Sequence, residues 1–312
     1  MSSGERPALR LVPEPAADPA PPVLGAVELV PGRVRAALLD LSGAVLRRAE
    51  AGFDRGAPDR APIDAALEQA ARACFDSPPL GVGVAAAGLV DADAGVVIEV
   101  NEVPALHGYP VAEVLARLVG APVHVEHRAR LQVLGDRWFG PGRGRSTFAS
   151  VSTGDVLGVG ILYEGSVLAP PGGRSGAHMT VAASGAVCTC GDRGCWKTIA
   201  TTPWLRERAR ERGRTIRSLA DLTQADDDLA EEYAGNIALG LINIQQLCAP
   251  GLFVLHGEAG EGGERFRARL EERLRAASSR ARGAEPPRVV VGGSAVDDIA
   301  LLGGAGLVLS RR

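Results

Sequence analysis

Lysine is almost absent from this sequence, because Lys197 is the only lysine among its 34 basic residues. A phosphate-binding loop of the type G-x-x-x-x-G-K-[ST] needs a lysine after its second glycine, and no such segment occurs. A nucleotide site of the P-loop type is therefore excluded. Any chemistry through a lysine Schiff base would depend on Lys197 alone.

Long apolar stretches and a strong net charge are also missing. No run of 18 uninterrupted apolar residues occurs, so we expect no membrane-spanning helix. The first eight residues contain no apolar segment behind a basic start, which argues against a secretory signal and favours a cytoplasmic location. The formal net charge of -3 argues against a strongly basic nucleic-acid-binding domain.

The order of the predicted elements indicates two α/β lobes with a cleft between them. Residues 1–24 are rich in proline and alanine and are predicted to be a disordered arm. A β-meander followed by helices and strands predicts an N-terminal lobe over residues 25–128. The same order recurs over residues 129–312, which predicts a C-terminal α/β lobe. The last segment is helical in pattern and could pack back on the N-terminal lobe.

Three cysteines crowd into eight positions and follow a histidine. His178 precedes Cys188 by ten positions, and Cys190 and Cys195 follow in the pattern C-x-C-G-x-x-G-C. Three thiolates and one imidazole complete a tetrahedral shell with no open position, so the segment 178–195 predicts a structural zinc site. Free or redox-active thiols are the alternative interpretation.

This cysteine motif, with flanking residues 177–197, resembles the zinc motif of the ROK family (repressors, open reading frames, kinases). Weaker matches to the family occur in the family's order along the chain. They are GVGVAAAGLVD (81–91), APVHVEH (121–127), LGDRWFGPGRG (134–144), VLGVGILYEGSV (156–167) and VVVGGS (289–294). The resemblance covers about residues 25–310. It implies an α/β, two-lobed sugar kinase/actin-like (ribonuclease H-like) fold with a zinc-binding insertion. It also implies ATP- and Mg²⁺-dependent phosphorylation of hexoses or N-acyl hexosamines, or the sensing of sugars, often as a homodimer.

The position implied for the catalytic base is altered. The family's Asn-Asp pair, whose Asp takes the proton from the sugar hydroxyl, matches His127 and Arg128 here. Arginine stays protonated and has no acceptor, so it cannot act as the base. Loss of a positioned base typically costs about 10²- to 10⁴-fold in rate.

The sugar-binding positions implied by the resemblance are partly altered as well. Ser175 and Lys197 stand where the family has glutamates, whereas Asn101 and His178 match the family residues. With His127 and Arg128, these side chains are the candidate substrate-binding residues. In an alternative interpretation, a new cationic pocket suited to an acidic metabolite is formed by His127, Arg128, Ser175 and Lys197.

The nucleotide loops implied by the resemblance have changed most. Val30 and Pro31 replace glycines of the first phosphate loop, and Asp155 adds a negative charge to the second. Glu28 remains as a candidate ligand for Mg²⁺. The nucleotide-binding candidates are Glu28, Gly32, Gly154, Gly158, Gly292 and Gly293. We therefore expect weak or absent binding of ATP and Mg²⁺.

Three functions remain open at this point. The favoured one is a catalytically silent protein of the family, kept for ligand binding or regulation. A second is an ATP-dependent sugar kinase that uses His127, Asp136 or Asp155 as its base. The third is an enzyme with a repurposed cationic pocket. Only about 24 residues precede the first predicted strand, so we expect no winged helix-turn-helix DNA-binding domain in this chain.

Overall fold

The computed structural model describes residues 21–170, 175–223, 226–278, 285–293 and 296–311. Seven strands belong to the N-terminal lobe: β1 (Leu24–Val30), β2 (Arg33–Leu39), β3 (Val45–Gly52), β4 (Val82–Ala86), β5 (Leu89–Asp91), β6 (Val96–Glu99) and β7 (Val123–His127). Five of them form one sheet in the order β3-β2-β1-β4-β7. Strands β1, β2 and β3 are antiparallel neighbours, and β1, β4 and β7 are parallel.

Two amphipathic helices cover one face of this sheet. Helix α1 (Ala61–Cys74) has a proline in its first turn, where a missing N–H costs nothing, and buries Ile63 and Leu67. Helix α2 (Val111–Val119) ends at Gly120, which adopts the left-handed conformation typical of helix ends. Both helices belong to the same apolar core as strands β1, β4 and β7.

The C-terminal lobe repeats the topology of the first sheet. Its strands are β8 (Phe148–Thr153), β9 (Gly158–Tyr163), β10 (Ser166–Val167), β11 (Leu252–Gly257) and β12 (Arg288–Val291). They form a sheet in the order β10-β9-β8-β11-β12, antiparallel on one side of β8 and parallel on the other. The repeated order predicted from the sequence is therefore confirmed.

The remaining helices belong to this second half of the chain. They are α3 (Arg128–Phe139), α4 (Thr202–Glu211), α5 (Asp227–Cys248), α6 (Glu258–Glu261), α7 (Gly263–Ala276) and α8 (Val296–Ser310). No helix in the described ranges is both long and apolar enough to cross a bilayer. The arm predicted for residues 1–24 lies outside the described residues up to residue 20, and Leu24 is already part of β1.

Helices α3 and α8 pack against each other between the two sheets. Glycines permit this close approach: a Cβ on Gly303 would lie 2.4 Å from the carbonyl oxygen of Leu131 in α3. A Cβ on Gly83 in β4 would lie 1.9 Å from the carbonyl oxygen of Gly304. Helix α8 thus contacts the N-terminal sheet and α3 together, and it holds α3 in a fixed position. This matters for the site because α3 begins at Arg128.

Candidate functional site

The predicted metal ligands meet in space. One ligand atom from each of His178, Cys188, Cys190 and Cys195 lies within 4.8 Å of the other three. The Nδ1 atom of His178 lies 3.7 Å from the sulfur of Cys188, and the sulfurs of Cys190 and Cys195 are 3.6 Å apart. Cys188 and Cys195 are buried. Three thiols and an imidazole converging in this way can hold one metal ion.

Tight turns bring the cysteines together. The backbone N–H of Gly191 donates to the carbonyl of Cys188 at 2.9 Å, which closes the turn between the first two cysteines and the third. Gly191 and Gly194 both have positive φ values, +93° and +69°. A Cβ on Gly194 would lie 1.6 Å from the carbonyl oxygen of Ala182, whereas a Cβ on Gly191 would meet nothing within 4 Å. Gly194 is therefore required by space as well as by conformation.

Trp196 anchors this metal loop to the C-terminal lobe. Its side chain is completely buried, and its indole N–H donates to the carbonyl of Asn236 in α5 at 2.8 Å. Gly240 of α5 lies directly against the indole, because a Cβ there would stand 2.2 Å from the ring. The Trp196 backbone N–H donates to the carbonyl of Met179, next to the ligand histidine, at 2.8 Å. The loop is thus tied to the helical layer as well as to the metal cluster.

A buried ion network occupies the first phosphate-loop position. Glu28 of β1 is fully buried, and its Oε2 accepts from the guanidinium of Arg35 at 2.6 Å. Its other oxygen, Oε1, accepts from the Nε of Arg128. Glu28 and Arg35 are register partners across β1 and β2, so their side chains share one face of the sheet. Each carboxylate oxygen already faces a guanidinium, and a divalent cation at Glu28 would be repelled by both.

The residues at the base position lie where β7 passes directly into α3. His127 is the last residue of β7 and the N-cap of α3, and its side chain makes no capping hydrogen bond. Burial, with repulsion from Arg130 and Arg128, lowers the pKa of His127 to about 4. Its Nδ1 atom is buried and has no hydrogen-bond partner in the described part of the chain. His127 is therefore a neutral imidazole near pH 7.

The three remaining candidate sugar-binding residues lie at separate points of the chain. Ser175 precedes the short turn Gly176–His178, and its hydroxyl accepts from the backbone N–H of Ala177 at 3.4 Å. Lys197 follows the last cysteine, and its Nζ donates to the hydroxyl of Thr189 at 3.0 Å. Asn101 lies exposed in the turn after β6. Of the six candidates, the described geometry places His127 and Arg128 side by side at the start of α3.

The loops expected to bind nucleotide are not shaped alike. Gly32 belongs to a two-residue turn between β1 and β2, and the side chain of Arg55 lies over it. In the second loop, the carbonyl of Gly154 accepts from the backbone N–H of Thr202 at 2.9 Å, and Gly158 opens β9. Asp155 of this loop is exposed and pairs with Arg206 at 3.0 Å.

The third glycine turn covers a polar network that sequence reasoning missed. Gly292 lies against the ring of His256, because a Cβ there would stand 2.1 Å from it, whereas Gly293 has open space. The Nε2 of His256 contacts the Asp136 carboxylate at 2.8 Å, and the hydroxyl of Ser150 donates to the same oxygen. All three side chains are buried. The only signal in the sequence was the polar residues Ser150 and His256 inside two apolar strands.

A buried glutamate next to the second loop was missed as well. Glu258 begins α6, and its carboxylate accepts from the backbone N–H of Leu219 at 2.5 Å. Burial raises the pKa of this carboxyl to about 7, despite the hydrogen bond from Leu219. The charge of Arg206 lowers this pKa, and the charge of Asp155 raises it. No periodicity or motif marks this residue in the sequence.

Comparison with known proteins places this chain in a family. The chain is 33% identical to the glucokinase of Thermotoga maritima over 135 residues, which cover 42% of each chain. It is 25% identical to the xylose repressor of Bacillus spizizenii over 186 residues, 56% of this chain and 47% of the repressor. The matched segments thus span less than half the length of these two relatives.

The fold itself matches a solved structure over nearly its whole length. The ROK hexokinase from Thermus thermophilus superimposes with a TM-score of 0.75 at 22% identity, covering 93% of this chain and all of that one. This establishes the expected two-lobed sugar kinase/actin-like fold. The family model described as "ROK family" matches residues 25–311. This protein is therefore a member of the ROK family.

Proposed function

We propose that this chain is a ligand-binding or regulatory member of the ROK family that does not phosphorylate its ligand. The observation that carries the proposal is the ion pair between Arg128 and Glu28. Arg128 stands where the family resemblance implies the proton acceptor, and a guanidinium has no acceptor at any working pH. Its partner Glu28 is the residue left for Mg²⁺, so one interaction disables two parts of the reaction.

The phosphate side of the cleft supports the same proposal. Pro31 has no N–H to offer a phosphate, and the side chain of Arg55 fills the space over the turn that Pro31 forms with Gly32. Asp155 and Glu258 place carboxyl groups around the second loop. The carboxyl of Glu258, whose pKa is about 7, is charged above that pH and adds to the repulsion of a triphosphate by Asp155.

The test is a turnover assay on the purified full chain. The protein is incubated with Mg-ATP and a panel of hexoses, N-acetyl hexosamines and xylose, and ADP release is measured by a coupled assay. We expect no release above the rate without sugar. Sugar-dependent ADP release would refute the proposal and favour the kinase alternative, which the similarity to glucokinases makes the natural competitor.

We further propose that the metal is zinc and that its role is structural. Sulfurs bound to one tetrahedral zinc stand roughly 3.8 Å apart, given Zn–S bonds of about 2.3 Å. The Cys190–Cys195 distance of 3.6 Å and the His178–Cys188 distance of 3.7 Å fit such a shell. Four protein ligands leave no position for a substrate. Elemental analysis should find about one zinc per chain, and a metal-free protein with freely titrating thiols would contradict this.

The ligand, the assembly and the location also stay proposals. Because relatives named as a glucokinase and as a xylose repressor both match this chain, we propose that the ligand is a sugar. A homodimer is predicted, and light scattering of the purified chain measures it. A cytoplasmic location remains a prediction. The third alternative, an enzyme acting on an acidic metabolite, also requires a negatively charged ligand.

A further inference from the structure

The start of helix α3 carries an excess of positive charge. The helix is 12 residues long, has no acidic residue in its first turn, and receives no side-chain cap from His127. Its first turn instead carries Arg128 and Arg130, both basic residues at the positive end of the helix dipole. The first backbone N–H groups of a helix have no partner within the helix. Glu28 pairs with Arg35 and Arg128, and Glu126 pairs with Arg130. Three arginines thus face two buried carboxylates at this end of the helix, and the positive charge in excess favours an anion.

Arg128 has donors that Glu28 does not engage. Its Nε atom is held by the buried carboxylate of Glu28, which orients the guanidinium. Neither of its Nη groups makes a hydrogen bond to any residue in the described ranges, and the side chain is 24% exposed. A guanidinium held in this way offers a planar fork that matches the two oxygens of a carboxylate or phosphate.

His127 provides an independent sign of a missing partner. Its Nδ1 atom is buried at the same end of α3 and has no hydrogen-bond partner among the described residues. A buried polar atom without a partner costs free energy, and native structures rarely keep one unless a ligand or water completes it. As a neutral imidazole, His127 can donate one hydrogen bond without adding a further charge.

The donors at this point do not suit an uncharged sugar. A sugar hydroxyl is bound best when a carboxylate or amide oxygen accepts its hydrogen, and Arg128 offers donors only. Two carboxylates lie nearby, and both are engaged: Glu28 accepts from Arg35 and Arg128. Glu126 pairs with Arg130 and accepts from the backbone N–H of His127. A neutral hydroxyl would add no negative charge to balance the third arginine.

We propose that the cleft binds an anionic sugar, whose carboxylate or phosphate is received by the Arg128 fork, His127 and the first turn of α3. The sugar part of this inference rests on the proposed function, whereas the anionic part rests on the residues described above. A sugar acid and a sugar phosphate share the required chemistry, and the experiment below separates them.

Calorimetric titration of the full chain at low salt tests the proposal. The probes are glucose and N-acetylglucosamine, the 6-phosphate and the uronic acid of each, and inorganic phosphate alone. We expect at least one charged sugar to bind at least tenfold more tightly than its neutral parent and than inorganic phosphate, and to bind more weakly as NaCl is raised. Binding of a 6-phosphate shows that a phosphate is recognised, and binding of a uronic acid shows that a carboxylate is recognised.

A matched pair of variants locates the site. Arg128→Gln should weaken binding of the charged sugar on the order of 10- to 100-fold, the usual effect of losing a charge-assisted fork. Arg117→Gln removes an exposed arginine of α2, paired only on its own helix with Glu113, and should leave binding unchanged. Circular dichroism checks that both variants fold.

Several outcomes would overturn the inference. These are equal or tighter binding of the neutral sugars, equal binding of inorganic phosphate, no binding of any charged sugar, or an Arg128→Gln variant with unchanged affinity. If Arg128→Gln does not fold, the inference is tested with the unaltered chain alone. Its affinities for charged and neutral sugars, and the salt dependence of those affinities, then decide the result. A neutral sugar that binds at least as tightly as its charged derivatives, without ADP release, would refute this inference alone, and sugar-dependent ADP release would refute the proposed function.

Discussion

Replacing Glu28 by glutamine tests whether the buried ion network is as strong as the geometry indicates. The carboxylate is fully buried and contacts two guanidiniums, Arg35 with a side chain 9% exposed and Arg128 with one 24% exposed. Glutamine keeps the size and one acceptor oxygen but removes the charge. Both arginines would then be left beside a neutral group, and Arg35 has little solvent to compensate it.

The expected magnitude follows from burial. Removing one partner of a buried ion pair costs about 3–5 kcal/mol, because the other charge is left uncompensated. Arg128 reaches solvent in part, so we expect the lower end, about 3 kcal/mol. Glu113→Gln removes an ion pair in which both side chains are about two-thirds exposed, and it should cost about 0.5 kcal/mol or less.

The measurement is urea unfolding at pH 7, followed by tryptophan fluorescence and by circular dichroism. Arg128→Gln should be milder than Glu28→Gln, since Glu28 keeps Arg35. The double variant should be less destabilised than the sum, with a coupling of about 1–3 kcal/mol. A Glu28→Gln protein within about 1 kcal/mol of the parent, no worse than the Glu113→Gln control, would show that the network does not hold the lobe together.

Three further predictions concern the metal loop, pH and packing. Gly194→Ala should prevent metal binding, measured as zinc content, because its Cβ has no space. Gly191→Ala has the same left-handed backbone strain but open space, and it should retain most of the zinc. Equal zinc content in the two variants would contradict the steric argument. The pKa of Glu258 is raised to about 7, against an unfolded value of 4.5, so the folded chain keeps a proton that the unfolded chain has lost. The contribution of this group to stability should fall by roughly 3 kcal/mol as pH rises from 4.5 to 7, opposing the gain that the lowered pKa of His127 gives over pH 4 to 6.5. Relative to the parent, Glu258→Gln should lack this fall, and parallel profiles of the two proteins would assign it to other groups. Gly240→Ala should lower the free energy of unfolding by about 1–3 kcal/mol, because its Cβ would overlap the indole of Trp196. The readouts are a lower Tm and altered Trp196 fluorescence. An unchanged Tm would show that α5 shifts freely.

The metal site was predictable from the sequence because its ligands are close together in the chain. A C-x-C-G-x-x-G-C segment with glycines at the turns brings its own sulfurs together, and only His178 comes from outside the segment. The strands were also predictable, since apolar runs and turn residues are local signals. The repeated sheet order follows from that same local order.

The ion network was not predictable, because its members are far apart in the chain. Arg128 and Glu28 are separated by 100 residues, and only the adjacent position of β1, β4 and β7 brings them together. Sequence reasoning identified Arg128 as altered and treated Glu28 as a remaining candidate for Mg²⁺. It had no means of seeing that the arginine in the base position engages this same glutamate.

The Asp136 network shows a second limit. Asp136 lies within an amphipathic helix, where a carboxylate usually faces water, and the sequence offered no reason to place it inside. In the structure it accepts from Ser150 and contacts His256, both on strands of the C-terminal sheet. Buried polar groups acquire partners through tertiary packing, and tertiary packing leaves no periodic mark.

The position of α8 has a consequence for synthesis on the ribosome. This helix follows every other described element in the chain, yet its side chains complete the core on one face of the N-terminal sheet, against Leu24, Leu39 and their neighbours. That face of the first sheet stays uncovered until residues 301–308 have left the exit tunnel. The nascent N-terminal lobe therefore carries an exposed apolar surface while the whole of the C-terminal sheet is synthesised, and chaperones that bind such surfaces have their longest opportunity there.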